Sequence, residues 1–330
     1  MPKVAEFNKM GSIHELKWVD KSTPKPSPGE ILIDVRSFGI NHSERDFVQG
    51  KYVQRPQFPS RIGYEATGVI TGLGEGVTNW KLGDRVNTVP VFSMSKYGTW
   101  AENAVVPARA LVKAPKLLDD VRASAAWVAY AAAWGGLVYK GQLKKGDYVL
   151  ITGAAGSPGL AALDIANQYE AIPIAVTRSH DKVRTLKKLG AHHVIVSSEE
   201  NRVDRIMEIT QQHGVDVVFD CIAGPGLEEL AQMAAHQAAL IVYGMLSTAP
   251  TPLPLFPAFE KNLSFHGFTV KDVFEDPEIW PRAERELRTG FNNGLLMPVV
   301  SRSFNQADWQ EALQYLQNKG RVGKVVIKLK

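Results

Sequence analysis

Three glycines, Gly153, Gly156 and Gly159, fall within the stretch 148–166, YVLITGAAGSPGLAALDIA. Residues 148–152 have the apolar, β-branched character of a buried strand, and a helical pattern opens at Ser157. A strand that turns on glycines into a helix N-terminus can receive a pyrophosphate. One glycine makes the tight turn, one lets backbone N–H groups approach phosphate oxygens, and one gives the helix room to pack on the strand. Ala154 and Ala155 complete the turn. Ser157 is expected as the N-cap and Pro158 in the first helical turn, where its missing N–H costs nothing. The unpaired donors and positive dipole end there favour an anion. An ordinary strand-turn-helix whose glycines serve only packing has the same spacing.

The end of the next strand, residues 172–177, carries a second chemical signal. In a dinucleotide-binding unit this position lies beside the adenosine ribose: an acidic side chain accepts from the 2′-OH of NAD, whereas a cation pairs with the 2′-phosphate of NADP. Here Thr177 is followed by Arg178, Ser179 and Lys182, and the first acid, Asp181, reads as a helix-start residue. Arginine can grip a phosphate with two parallel bonds, serine adds a hydroxyl and lysine adds charge. NADPH is therefore the expected cofactor; the alternative is that Arg178 and Lys182 are solvated charges at a helix start.

The elements that must position these groups follow from the texture of the chain. Its 330 residues are enough for two domains of ordinary size, and 45% apolar with 22% charged residues is the composition of a globular protein. Lysine and arginine exceed aspartate and glutamate by 38 to 34, a balance of +4 that is too small for a nucleic-acid surface. The N-terminal residues lack a signal-peptide core, and no run approaches the roughly 18 apolar residues of a membrane helix, so a cytoplasmic enzyme is the default. Cys221 is the only cysteine, which excludes an internal disulfide and a cysteine-based zinc site; its apolar setting reads as a small buried hydrophobe.

Residues 1 to about 120 carry strand patterns (30–38, 66–70, 101–106) broken by turn residues, with one short helix after Asn41. From Ala123 an alanine-rich apolar helix (123–138) is expected. Strands at 148–152, 172–177, 193–196, 215–220 and 239–243 then alternate with helices from 157, at 181–189, 203–213 and 226–234. Such alternation implies a parallel sheet with helices on both faces. Helices at 278–291 and 306–318 and a last strand at 323–329 return to the first style, so the nucleotide domain is expected as an insertion, with the active site in the cleft between domains.

At this point the chain resembles the medium-chain dehydrogenase/reductase superfamily, in its zinc-free quinone oxidoreductase (zeta-crystallin-like) branch. The markers come in order over essentially the whole chain: GINHSERD from Gly39, IGYEATGVI from Ile62, LGDRV from Leu82, GTWAENAVV from Gly98, LKKGDYVLITGAAGSPGLAALDIA from Leu143, and GKVVIKL at the end. The resemblance implies an α/β protein: a GroES-like β-rich catalytic domain (1–123 and 265–330), an inserted Rossmann doubly wound domain (124–264), and a homodimer, paired through residues 238–243.

Zinc-containing relatives place a cysteine where Asn41 stands, a histidine where Tyr64 stands and a third ligand near Val128; none of these is a good zinc ligand, and no metal is expected. His42 beside Glu44 and Glu65 would make only a sparse site. The resemblance puts Asn41, Glu44, Tyr52 and Tyr64 near the reacting groups. Asn41 could donate to a substrate carbonyl or the cofactor, and either tyrosine could orient substrate or relay a proton. Structural roles stand beside each: Asn41 as helix cap, Tyr64 as filler of a ligand's volume, Glu44 as partner of Arg45 or a backbone group. The resemblance further suggests cofactor contacts at Gly244, Met245 and Leu246, at Phe268 to Val270, and along Arg321 to Lys324. Asp46 and Ala132 depart from the family's tyrosine and threonine.

Without a Lewis acid, reduction of a quinone or an activated C=C is the chemistry easiest to catalyse by positioning alone. The reading is an NADPH-dependent reductase of quinones or α,β-unsaturated carbonyl compounds. Its alternatives are an enoyl-thioester or substituted-acrylate reductase, a binding or structural protein that keeps NADPH without turnover, and a metal-dependent alcohol dehydrogenase with unusual ligands.

Overall fold

In the computed structural model, which describes residues 1–329, the chain divides into two units, one formed by Met1–Val128, Pro298–Asn318 and the residues from Lys324 onward, the other by Ala129–Met297 and Lys319–Gly323. The axis of the first is the strand Glu30–Ile40, longest of its sheet. Antiparallel neighbours flank it, Lys324–Lys328 on one side and Ala66–Leu73 on the other, and Asn103–Pro107 also pairs with it. Val325 lies opposite Ile40, and Phe38 opposite Ala66. One end of three adjacent strands therefore gathers Asn41, Glu65 and Lys324, which are far apart in sequence.

The LGDRV segment earns its place mechanically. Asp84 accepts from the Lys81 N–H at 3.2 Å and from Lys113 Nζ at 3.1 Å, contacts that hold its carboxyl below the usual range despite partial burial. Arg85 spreads its guanidinium over Asp120 Oδ1 (2.7 Å), the Pro115 carbonyl (3.0 Å) and the Leu118 carbonyl (2.7 Å), stapling the loop 115–120 to the sheet.

The second unit holds six parallel strands: β1 (Tyr148–Ile151), β2 (Ile172–Thr177), β3 (His193–Val196), β4 (Val215–Asp220), β5 (Ala234–Val242) and β6 (Ser264–Gly267). Their spatial order, β3-β2-β1-β4-β5-β6, reverses direction beside β1, the topology of a dinucleotide-binding sheet. Leu150, Ile174, Val218 and Leu240 form its buried centre. The helix Ser157–Gln168 is tied down by Tyr130, whose hydroxyl donates to Asp164 Oδ2 at 2.5 Å; burial pushes that carboxyl up to about 6.

Four expectations are corrected. Residues 265–297 belong to the second unit, because Trp280–Asn293 docks there: Glu286 Oε2 accepts from Trp134 Nε1 (2.8 Å) and Tyr169 OH (2.6 Å), and Phe291 packs edge-on against Tyr130. The single helix expected over 123–138 is instead Asp120–Ala123, Trp127–Trp134 and a wider π turn, Gly135–Lys140, whose glycines admit the rings of Phe268 and Phe219. The strand through residues 238–243 cannot pair two copies, since β4 and β6 already cover its edges; among the described residues the open edges of this sheet are β3 and β6. The cap of Ser157–Gln168 is Gly156, with Ser157 already helical. Among the described residues no helix is long and apolar enough to cross a membrane.

Replacing Arg85 by Met is expected to cost about 1–3 kcal/mol, the scale of hydrogen bonds to a charged group lost at a semi-buried site, and to lower the unfolding midpoint by about 2–4 °C per kcal/mol. An unchanged midpoint in thermal denaturation would show that the staple holds nothing.

Candidate active site

In the second unit the three glycines divide their work as the spacing requires. Gly153 has φ +56°, and a side chain there would strike Cys221 Sγ at 2.5 Å. Gly159 lies so close to the turn that a Cβ would come within 2.6 Å of Ala154 Cα. Around Gly156 the nearest atom a Cβ would meet is the Gly153 carbonyl oxygen, at 3.2 Å. Because its N-cap is a glycine and makes no side-chain cap bond, Ser157–Gln168 keeps first-turn N–H groups for an anion. This cradle, which a Cβ would fill, fits a dinucleotide pyrophosphate.

Below the turn, Thr152 Oγ1 donates to Asp220 Oδ1 at 2.5 Å and accepts from the Cys221 N–H at 3.1 Å, locking the end of β1 to that of β4. Cys221 is buried, as its setting suggests, and its thiol is pushed up to about 11 by burial.

Thr177, Arg178 and Ser179 follow at the end of β2, in register beside β1. Thr177 is buried, with the Ser179 N–H directed at its Oγ1 (3.3 Å), while Arg178 is exposed. The Lys182 ammonium is disfavoured first by its partial burial and then by the charges of Arg321 and Arg178. Arg321 thus stands with these two cations; its segment is anchored where the Gly323 N–H meets the Ala155 carbonyl at 2.9 Å. The resemblance gives cofactor contacts along Arg321 to Lys324 without saying which part of the cofactor, and nothing in local sequence tells that Arg321 stands near Lys182.

Gly244, Met245 and Leu246 leave the end of β5, with Leu246 N–H bonded to the Cys221 carbonyl at 3.1 Å and the side chains of Met245 and Leu246 exposed. Phe268 and Val270 follow β6; the Phe268 ring is buried against Gly135, so only its backbone is open to a role at a cofactor, and Val270 is half-buried. All these positions stand beyond carboxyl ends of parallel strands, where such sheets bind ligands.

The first unit brings the other candidates together. Asn41 precedes the helix His42–Val48, and Glu44 caps its backbone, Oε2 accepting the Asn41 N–H at 2.7 Å. The Asn41 side chain reaches further: its Oδ1 accepts from Lys324 Nζ at 2.6 Å and its Nδ2 donates to Glu65 Oε2 at 3.3 Å. Lys324, expected at the cofactor, is committed here, 2.5 Å from Glu65 Oε2 and almost wholly buried. Glu65 is the residue whose role sequence reading missed; a lysine opening an otherwise apolar strand, GKVVIKL, was the available signal that a buried acid waits for it.

Tyr64 is buried, its hydroxyl 2.5 Å from Ser43 Oγ, and burial raises it well above the ordinary tyrosine value. Tyr52 is half-buried and is raised to about 12, chiefly by desolvation. Both are neutral donors at physiological pH. Asp46 is raised by partial burial against the pull of Arg45 and Lys51.

The donor set does not fit zinc. Asn41, Tyr64 and Val128 occupy the ligand positions named above, and both oxygens of Glu65 are engaged, Oε2 by Lys324 and Oε1 by the Val128 N–H at 3.2 Å. Among the described residues no three His, Cys, Asp or Glu side chains are grouped to hold a metal.

Glu44 is the titrating member of this cluster. Burial lifts its carboxyl from 4.5 to about 8, with the Asn41 N–H and Lys324 opposing and Glu65 adding to the rise. The folded state therefore retains a proton that the unfolded chain releases above 4.5, so the contribution of Glu44 to stability falls as pH rises towards about 8, by at most about 1.4 kcal/mol per pH unit. Gln at this position keeps an acceptor for the Asn41 N–H and has no proton to lose. Glu44→Gln should gain thermal stability relative to wild type between about pH 5 and about pH 9; parallel midpoint-against-pH curves would contradict a raised Glu44.

Comparison with known proteins bears on both units. Residues 27–116 match the family described as "Alcohol dehydrogenase GroES-like domain" and residues 159–289 the one described as "Zinc-binding dehydrogenase". The chain is 31% identical to the quinone oxidoreductase-like protein 2 homolog of Nematostella vectensis over 94% of its own length and 84% of that protein's, and 28% identical to human quinone oxidoreductase over 94% and 92%. The crystal structure of Escherichia coli quinone oxidoreductase complexed with NADPH superimposes with a TM-score of 0.89 at 24% identity, covering 99% of each chain. With the GroES-like sheet, the 3-2-1-4-5-6 sheet and the glycine turn in place, the chain belongs to the medium-chain dehydrogenase/reductase superfamily, in its quinone oxidoreductase branch.

Proposed function

We propose that the protein is an NADPH-dependent, zinc-independent reductase of quinones or α,β-unsaturated carbonyl compounds. The observation that carries the cofactor is the tip of β2, where Thr177, Arg178 and Ser179 follow the strand beside β1 with no acid among them, and where the charges of Arg321 and Arg178 bear on Lys182, a repulsion that a 2′-phosphate would relieve. The human relative is a quinone oxidoreductase by name, the Nematostella one a quinone oxidoreductase-like protein, and the Escherichia coli enzyme was solved with NADPH, which supports the same reading.

When bound, NADPH supplies a hydride. The residues of this chain do the rest. Backbone N–H groups from Gly153 to Gly159 hold the pyrophosphate, and Thr177, Arg178, Ser179, Lys182 and Arg321 hold the adenosine phosphate. Gly244 to Leu246 and the backbone at Phe268 and Val270 serve the nicotinamide end. Asn41 donates from Nδ2 to the substrate oxygen as negative charge develops there, the task a metal performs in zinc enzymes. Tyr52 and Tyr64 orient the substrate as neutral donors, and one proton, taken up with the hydride, completes the hydroquinone or the saturated ketone. Lys324 is reassigned from cofactor contact to this half.

The homodimer implied by the family is proposed to form at an open edge of this sheet, β3 or β6; light scattering that returned the single-chain mass of 36.3 kDa would refute it.

NADPH oxidation by chelator-treated protein, followed with quinones, enones, enoyl thioesters and aldehydes and with NADH in parallel, should show turnover on quinones or enones and preference for NADPH. Turnover confined to aldehydes and abolished by chelation would overturn the proposal, and turnover confined to enoyl thioesters would move the substrate class. Arg178→Ala and Arg321→Ala should each raise KM for NADPH about tenfold to a hundredfold and leave NADH unaffected. An equal response of the two cofactors would remove these residues from the phosphate site.

A further inference from the structure

Among the described residues, Lys324 and Glu65 form the one ion pair of the first unit that is closed to solvent, with side chains 4% and 1% exposed. The berth is built for it. A Cβ on Gly39 would lie 2.6 Å from Lys324 Cε, 2.5 Å from the Ser124 carbonyl oxygen and 3.1 Å from Glu65 Oε2, so only glycine on the neighbouring strand lets the lysine stem pass. The ammonium spends one proton on Glu65 Oε2 and another on Asn41 Oδ1, at 2.5 and 2.6 Å.

An ammonium has donors and no acceptor, so it dictates which way the Asn41 amide faces: oxygen towards Lys324, nitrogen away. Glu65 Oε2, 3.3 Å from Nδ2, favours the same orientation, and the Asn41 backbone N–H is fixed by Glu44. The flipped amide would turn its carbonyl lone pairs towards a developing negative oxygen. A charged hydrogen bond at Oδ1 also draws electron density from the amide, which strengthens the remaining Nδ2–H as a donor.

We propose that Lys324, with Glu65 as its counter-ion, is the positioning residue of the reaction: it fixes and polarises the Asn41 amide so that Nδ2 and not Oδ1 meets the substrate oxygen. The proposal rests on the reading of Asn41 as donor to that oxygen.

The test compares steady-state reduction of a 1,4-benzoquinone by NADPH in wild type, Asn41→Ala, the double variant Lys324→Met with Glu65→Gln, and the triple variant. The double variant removes both charges, so neither is left buried alone. Asn41→Ala should lower kcat about tenfold to a hundredfold. The double variant should come within about threefold of it with KM for NADPH unchanged, and the triple variant should lose no more, as residues acting as one unit do. A folded double variant with wild-type kcat, beside an impaired Asn41→Ala, overturns the role of Lys324 alone. A silent Asn41→Ala overturns the donor reading and this proposal with it. Should the double variant not fold, wild type decides: with 15N-labelled lysine, a slowly exchanging ammonium resonance that shifts in Asn41→Ala is expected, and its absence contradicts the proposal.

Discussion

The register between the strand Lys324–Lys328 and the strand Glu30–Ile40 is the constraint on which the catalytic half depends. Val325 opposite Ile40 sets Lys324 across from Asn41, and Ala66 opposite Phe38 brings Glu65 to the same end. A slip of one residue would turn Lys324 to the other face of the sheet and leave Glu65 buried without its cation. Breaking a buried pair on one side costs roughly 3–5 kcal/mol, a large share of a domain's whole stability. The pair is therefore weak evidence for stability in itself and strong evidence that the register is unique. Gly39, with no room for a side chain, enforces the same geometry from the adjacent strand.

The cofactor half rests on a different balance. Parallel pairing of β1 with β2 and β4 puts the glycine turn, the tip of β2 and the Thr152–Asp220 lock along one edge, and packing of Gly159 on Ala154 holds the helix against the strand. These contacts are satisfied without a ligand. Lys182 carries the opposite balance: its ammonium is disfavoured by burial and by the charges of Arg321 and Arg178, a local cost to the folded state.

Much of this was legible in the sequence, for physical reasons that differ by region. Five of the six parallel strands and the glycine turn are local patterns that the alternation of buried strand and helix revealed; the short β6, Ser264–Gly267, was missed, and the boundary of the inserted unit was misplaced because the docking of Trp280–Asn293 is decided by Glu286, Phe291 and partners more than a hundred residues away. Asn41 and Tyr64 could be singled out as the positions where relatives bind zinc. Glu65 as the partner of Lys324 could not, because 259 residues separate them and only strand register joins them. The location of Arg321 was hidden in the same way.

The central claim is that this chain transfers a hydride from NADPH to carbon or oxygen with no metal to help it. Reduction of a simple enone by metal-stripped protein in ordinary water, with NADPH deuterated at the transferring C4 position, tests it most directly. Deuterium at the β-carbon of the product and protium at the α-carbon are the result expected of hydride transfer followed by proton uptake. No product until zinc is restored, or product without deuterium, would contradict it.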